Sequence, residues 1–303
     1  MGTSKRVSVL RSGLGTSVFA IVLALAAGCV NYQSVQDFSM GTTEFASSYD
    51  SIYSVSFDSC MSTAEIRNII LEIGQTPSRS PLTQLADDKA QCAAFRSGTE
   101  AFNQTSLGLN DFGRALNLVA TRSQMGSMRE PQFIPQFTGI DENAAETVPE
   151  LGGRKSEIIM VNSWKDYFQS FYVQMTPQQM ILETQPQVAA TLELLAVFTD
   201  ISQVQLDNYQ RNIKVLDTLL YDVKSDDPVK RTFVINRSRD QNRSQELLNN
   251  YNEALESVKE SYKRIYERSE LSSPNYKDPI FQQEMKEFLI KISNLVQQSR
   301  IIS

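Results

Sequence analysis

The spacing of apolar residues constrains this chain more than any other feature, because it follows the period of an α-helix over most of the sequence. Stripes that step by three and four residues run from Leu206 to Val223, from Leu248 to Ile265 and from Phe281 to Leu295. Such a stripe covers one face of a helix and buries it against a neighbour. The sequence therefore predicts an all-α protein built as a helical bundle.

Several helix starts are marked by a capping residue followed by proline, which fits the first turn of a helix. Thr176-Pro177 with Gln179 has the pattern of a capping box, and Asp227-Pro228 and Asp278-Pro279 repeat the cap and the proline. The predicted helices cover 36–60 (continuing or restarting at 62–73), 82–102, 106–123, 155–174, 177–224, 228–268 and 278–301.

The predicted helices are long, and this determines the expected shape. A helix of about 40 residues extends over about 60 Å, so we expect an elongated antiparallel bundle. The helix over 177–224 should bend near Pro186, because proline lacks the backbone donor that a helix interior needs.

The segment 126–154 interrupts the helical pattern with three prolines and four glycines. A connection of this length inside a bundle is unusual. It is either a strap that binds a partner through Phe133, Ile134 and Phe137, or a surface crossover whose apolar residues pack on the helices. We favour the crossover.

Composition excludes several kinds of site. The chain contains no histidine, so a Ser-His-Asp triad, a Cys-His dyad and a histidine-ligated zinc or haem site are impossible. The net charge of -6 argues against a nucleic-acid binder. We find no P-loop, dinucleotide fingerprint or calcium loop, and no two carboxylates that the sequence places across a cleft. The expectation is a protein that is not an enzyme and holds no cofactor.

The first thirty residues have the three parts of a secretory signal. Lys5, Arg6 and Arg11 form a basic start without any acid, and an apolar run follows over 18–27. Ten apolar residues span only about 15 Å as a helix, half of a bilayer core. Small residues then lead into Cys29.

The sequence LAAGC that ends at Cys29 resembles the lipobox of bacterial lipoproteins, although Ala26 stands where leucine is commonest. The resemblance implies cleavage before Cys29, diacylglycerol on its sulfur and an acyl chain on its amine. Val30 follows where enteric inner-membrane lipoproteins carry aspartate, which favours the outer membrane, on the periplasmic side. On this interpretation 1–28 is a cleaved signal peptide, 29–37 a lipidated tether and 38–303 one helical-bundle domain.

Lipid on Cys29 would leave Cys60 and Cys92 as an even pair in an oxidising compartment, which predicts a disulfide between them. The alternative is a pair of buried free thiols.

An aromatic segment follows the loop, and a helix would place part of it on one face. It is a candidate partner-binding platform or a helix buried on a wide face, and we favour burial. Its residues are Trp164, Tyr167, Phe168, Phe171 and Tyr172.

A basic stretch near the start of the helix over 228–268 is the second candidate surface. It would meet anionic headgroups or an acidic partner, or it is an ordinary solvated helix, which we favour. Because the core stripe fades here, we expect this part of the helix to extend beyond the bundle. Its residues are Lys230, Arg231, Arg237, Arg239 and Arg243.

Together these features predict a lipid-anchored envelope protein that acts as a helical binding or scaffold module for another envelope component, without nucleic acid. One alternative is a carrier of lipid or a small ligand that uses the aromatic segment 164–175. A glycan hydrolase based on carboxylates is the weaker alternative.

Overall fold

The computed structural model confirms the all-α bundle. In the part of the chain that it describes, every regular element is a helix. The described residues are 32–48, 52–74, 81–125, 133–141, 143, 151–170, 175–222 and 228–302.

The helices are numbered here in chain order. They are α1 Gln33–Ser48, α2 Ser54–Gly74, α3 Pro81–Met125, α4 Lys155–Asn162, α5 Trp164–Gln169, α6 Pro177–Glu183, α7 Gln185–Asp222, α8 Pro228–Ser269 and α9 Pro279–Ile302. At 1.5 Å per residue, the 42 residues of α8 extend over about 63 Å, as an elongated bundle requires.

Polar contacts at two levels show that consecutive long helices run antiparallel. Gln203 on α7 exchanges side-chain hydrogen bonds with Gln245 on α8, and further along α7 the Tyr209 hydroxyl donates to the Arg237 carbonyl. Residue numbers therefore rise along α7 as they fall along α8. Arg264 with Glu284 and Lys291 with Glu253 show the same for α8 and α9.

The predicted stripes form the core. On α7, α8 and α9 the stripe residues are buried, from Leu206 to Leu220, from Leu248 to Ile265 and from Phe281 to Leu295. Val223, the last residue of the first stripe, lies outside the described residues.

The predicted caps are present where the structure describes them. The Thr176 hydroxyl accepts from the Gln179 backbone N–H, and the Gln179 side chain accepts from the Thr176 backbone, so α6 begins with a full capping box. Asp278 accepts from the backbone N–H of Ile280 and Phe281 at the start of α9. Where a bend was predicted near Pro186, the structure has a break at Thr184 between α6 and α7, and Pro186 is the second residue of α7. The Val188 N–H to Thr184 carbonyl bond continues the helical ladder past Pro186.

Three helix boundaries were predicted wrongly. The helix over 36–60 is two helices, because Ile52 and Tyr53 form a turn between α1 and α2. The helices over 82–102 and 106–123 are the single helix α3, since neither glycine nor proline breaks 103–107 and the Thr105 hydroxyl bonds to the Ala101 carbonyl within the helix. The helix over 155–174 is interrupted at Ser163 and ends at Gln169 before an irregular Ser170.

The long loop crosses the bundle as an extended segment over 133–141, which we call the strap. Helix side chains satisfy its backbone, because Asp111 accepts from the N–H groups of Gln136 and Phe137 at 2.6 and 2.8 Å. Asn162 both accepts from the Ile140 N–H and donates to the Ile140 carbonyl. The strap is therefore fixed to α3 and α4 as a crossover in the described part of the loop.

Asp111, which holds the strap, should make the free energy of unfolding depend on pH. Burial raises the pKa of Asp111 above its ordinary value of 3.8, although the bonds from Phe137 and Gln136 and the charge of Arg114 act in the opposite direction. A carboxyl whose pKa is higher in the folded chain binds its proton more tightly there than in the unfolded chain. Its contribution to stability is therefore present below the ordinary pKa and is lost as the pH rises through the raised pKa.

We expect Asp111→Asn, which cannot titrate, to remove that part of the pH dependence. In urea denaturation from about pH 3.5 to 7, the free energy of unfolding of the wild type should fall relative to that of Asp111→Asn as the pH rises. A difference that stays constant or changes in the opposite direction would contradict the burial effect.

Candidate functional site

A groove between α7 and α8 is the best candidate site in the described part of the chain. Its volume is about 550 Å³, within the range of ligand-binding clefts. The α7 wall runs from Gln185 to Asp200, and the α8 wall runs from Lys259 to Tyr266. Arg154, next to the first residue of α4, closes one side.

The inner surface of the groove is mostly apolar. Leu192 is buried at its base, Ala189 and Ala196 present only a methyl group each, and Tyr262 contributes a buried ring. Ala189 and Ala196 lie seven residues apart, so they stand on nearly the same line along α7. This surface reaches solvent between charged margins.

The two margins carry opposite charges. Glu193 and Asp200 are exposed on the α7 side, and Lys259 and Lys263 lie on the α8 side. The Arg154 guanidinium lies 3.2 Å from a Glu193 carboxylate oxygen and 2.9 Å from one of Glu157. Lys259 contacts Glu256 on its own helix at 2.7 Å, and the exposed Lys263 lies 4.0 Å from a carboxylate oxygen of Glu267, also on α8.

Both tyrosines of the groove stay neutral at ordinary pH. Burial raises the pKa of Tyr262, and a hydrogen bond with Glu270 raises the pKa of Tyr266. The Tyr262 hydroxyl points toward the Ile181 carbonyl at 3.5 Å, the limit for a hydrogen bond. These side chains offer ring surface and hydrogen bonds and are poor bases.

Models of known protein families, curated proteins and solved structures were compared with this chain, and none matches. The function has to be argued from the arrangement of the chain's own residues.

The predicted aromatic platform lies largely inside the fold. Trp164 is fully buried, and its ring stacks on Phe168 at 5.0 Å between centroids and contacts Phe112 at 5.7 Å. The Trp164 indole N–H donates to the Thr191 hydroxyl at 3.0 Å. Tyr167 is half-buried against this cluster. Phe171 and Tyr172 lie outside the described residues.

The basic stretch remains on the surface except at one position. Lys230, Arg231, Arg239 and Arg243 are exposed. Arg237 instead packs toward the core, where its guanidinium lies 2.8 Å from Glu65 and over the ring of Phe233. The expectation that this stretch extends past the bundle was wrong, because Val234 and Gln241 are buried on either side of Arg237.

The predicted disulfide is present, and Cys60 and Cys92 join α2 to α3 with their Cα atoms 5.7 Å apart. Of the three apolar residues predicted as loop anchors, Phe137 is buried and Phe133 packs against Phe168 at 5.5 Å. Ile134 is 64% exposed. Cys29, the predicted lipid attachment site, lies outside the described residues, and so does the apolar run before it.

The described part of the chain offers neither a metal site nor a membrane-spanning helix. Within the described ranges, no group of three or more cysteines or carboxylates is arranged to hold a metal ion. None of the helices in those ranges combines the length and the apolar character needed to cross a bilayer.

Sequence reasoning missed the groove, because it lies between residues of α7 and α8 that are at least 59 positions apart. One signal was available. Ala189 is exposed and Ala196 is partly exposed on a long amphipathic helix, where small apolar residues leave room for another backbone.

Proposed function

We propose that this chain is a lipid-anchored protein of the bacterial envelope that binds another envelope protein and does not act as an enzyme. The observation that carries the proposal is the groove between α7 and α8, an open apolar surface between charged margins on two long helices. Interface centres combine apolar surface with aromatic rings in this way, and charged residues surround them.

The packing of the aromatic segment supports binding of a protein over carriage of a lipid. A carrier would need Trp164 and Phe168 to line a cavity, but their rings stack on each other and Trp164 also contacts Phe112. The acids of the groove also fit a hydrolase poorly. Glu193 and Asp200 are two turns apart on one helix, about 10 Å along its axis, and Arg154 already contacts Glu193.

The groove can be tested in living cells by photo-crosslinking. A benzophenone amino acid at Ala196 or Tyr266 should give a discrete crosslinked product with one protein, because both positions line the groove. Ile290 on α9, which is 50% exposed, serves as the matched control. The product should weaken when Asp200→Lys is added.

A crosslink from Ile290 to the same protein, or a product at Ala196 or Tyr266 that Asp200→Lys does not weaken, would count against the groove. In that case the crosslinks would report chance encounters on an exposed surface.

The anchor has a separate test. With an alkyne fatty acid in the growth medium, the wild type should take up label and sediment with membranes, whereas Cys29→Ala should lose both properties. Cys60→Ala is the matched control, since it removes a cysteine and should keep the label. An unlabelled wild type would end the lipoprotein interpretation.

A further inference from the structure

We propose that the groove between α7 and α8 receives a helix of a partner protein, and that this helix carries basic residues along one edge and acidic residues along the other. This inference rests on the proposed function and specifies the chemistry of the partner.

The length of the groove fits a helix. Its α7 wall extends from Gln185 to Asp200, which is about 22 Å or four helical turns. A helix of about fifteen residues would lie along this wall.

The small side chains on the floor fit the same occupant. Ala189 and Ala196 repeat at seven residues, with Leu192 between them, which is the spacing of a helix seam. Methyl groups at these positions allow the backbone of a third helix to approach closely, and the half-buried Val197 and Tyr266 offer the larger apolar contacts. Leu192 belongs to the core, so the groove extends the core surface toward the partner helix.

The charges of the two groove margins determine which charges the partner helix should carry along its two edges. Its edge beside α7 faces Glu193 and Asp200, so basic side chains are favoured there. Its edge beside α8 faces Lys259 and Lys263, so acidic side chains are favoured there. Arg154, Glu256 and Glu267 reduce the charge at Glu193, Lys259 and Lys263, so Asp200 should contribute most to the selection.

Opposite margins also favour a protein helix over a charged surface. An anionic membrane or a nucleic acid presents a single sign of charge and would be repelled by Glu193 and Asp200. A helix can carry both signs on its two edges, as the edge positions of helix seams do.

Three synthetic peptides test this directly on the purified full-length chain in detergent. Each has about eighteen residues and the same Leu and Ala stripe. One has a Lys edge and a Glu edge, the second has Lys on both edges and the third has Glu on both edges. A helix that binds in the opposite direction presents each edge to the other wall of the groove, so a peptide with exchanged edges could still bind. The two peptides that carry the same charge on both edges are therefore the controls.

By fluorescence anisotropy, the peptide with unlike edges should bind at least about ten-fold more tightly than either like-edged peptide, which corresponds to about 1.4 kcal/mol. The double variant Glu193→Lys with Asp200→Lys makes both margins basic, so it should instead prefer the peptide with two Glu edges. Asp217→Lys, an exposed change on α7 outside the groove, should keep the wild-type order.

Equal affinity for all three peptides, or no measurable binding of any, would overturn the inference, as would a double variant that keeps the wild-type order. These outcomes are distinct from failure of the proposed function. Crosslinks at Ala196 and Tyr266 together with peptides that do not bind would leave a protein-binding groove whose partner is not such a helix.

Discussion

Trp164→Ala is expected to lower the free energy of unfolding by about 3–5 kcal/mol, the usual loss for removing a large aromatic side chain from a core. The indole is fully buried and contacts Phe168, Phe112 and Tyr167. Alanine would leave a cavity beneath the strap. Phe137 of the strap and the Trp164 indole both lie close to Gly108 of α3. Thr191 would lose the indole donor but keep its bond to the Gln187 carbonyl.

Urea denaturation followed by far-UV circular dichroism measures this loss, since the variant lacks the chain's single tryptophan. Tyr221→Ala is the matched control, because Tyr221 is 80% exposed and should change the free energy of unfolding by less than about 0.5 kcal/mol. Comparable small losses in both variants would mean that the aromatic segment is not part of the core.

Loss of the disulfide should have an effect of similar size. The bond between Cys60 and Cys92 closes a loop of about 33 residues, and the chain-entropy model assigns such a loop about 3–4 kcal/mol. The double variant Cys60→Ala with Cys92→Ala should therefore unfold at a clearly lower urea concentration. The effect arises mainly in the unfolded chain, which gains freedom when the link is removed.

Chemical reduction provides the internal comparison. A reducing agent should destabilise the wild type by about as much as the double variant is destabilised, and it should leave the double variant unchanged. A wild type that is insensitive to reduction would contradict both the bond and the oxidising compartment that the sequence predicts.

The apolar period of the sequence was sufficient for the long helices. The stripes on α7, α8 and α9 are buried because a helix that repeats its apolar residues at three and four positions has one face to cover. The caps at Thr176 and Asp278 fixed two helix starts for an equally local reason, since a hydroxyl or carboxylate there accepts from the first turn.

Breaks between helices were harder to predict. Aromatic residues recur every four positions from Phe45 to Phe57, which is the spacing of one continuous helix. The chain turns at Ile52 and Tyr53 without glycine or proline, and tertiary packing decides the position of that turn. In α3 the opposite happened, because polar residues such as Thr99 interrupt the apolar spacing of a helix that is continuous.

Sites formed by two segments that are far apart in the sequence could not be predicted from the sequence. The strap is fixed by Asp111 and Asn162, whose pairing with Gln136 and Ile140 depends on the path of the loop. The groove likewise depends on how α7 and α8 lie side by side. Trp164 illustrates the same limit, since periodicity placed it on an apolar face but could not decide whether that face was covered.

The start of α1 lies at the end of the bundle where α8 also ends. The Ser34 hydroxyl donates to the Tyr276 carbonyl, and the Tyr276 hydroxyl shares a hydrogen bond with Ser269 at the end of α8. Tyr266 of the groove is three residues from Ser269, whereas Arg239 is about 45 Å from Ser269 along the same helix. If Cys29 carries the proposed lipid, the groove would lie nearer to the anchoring membrane than the exposed Arg239 does.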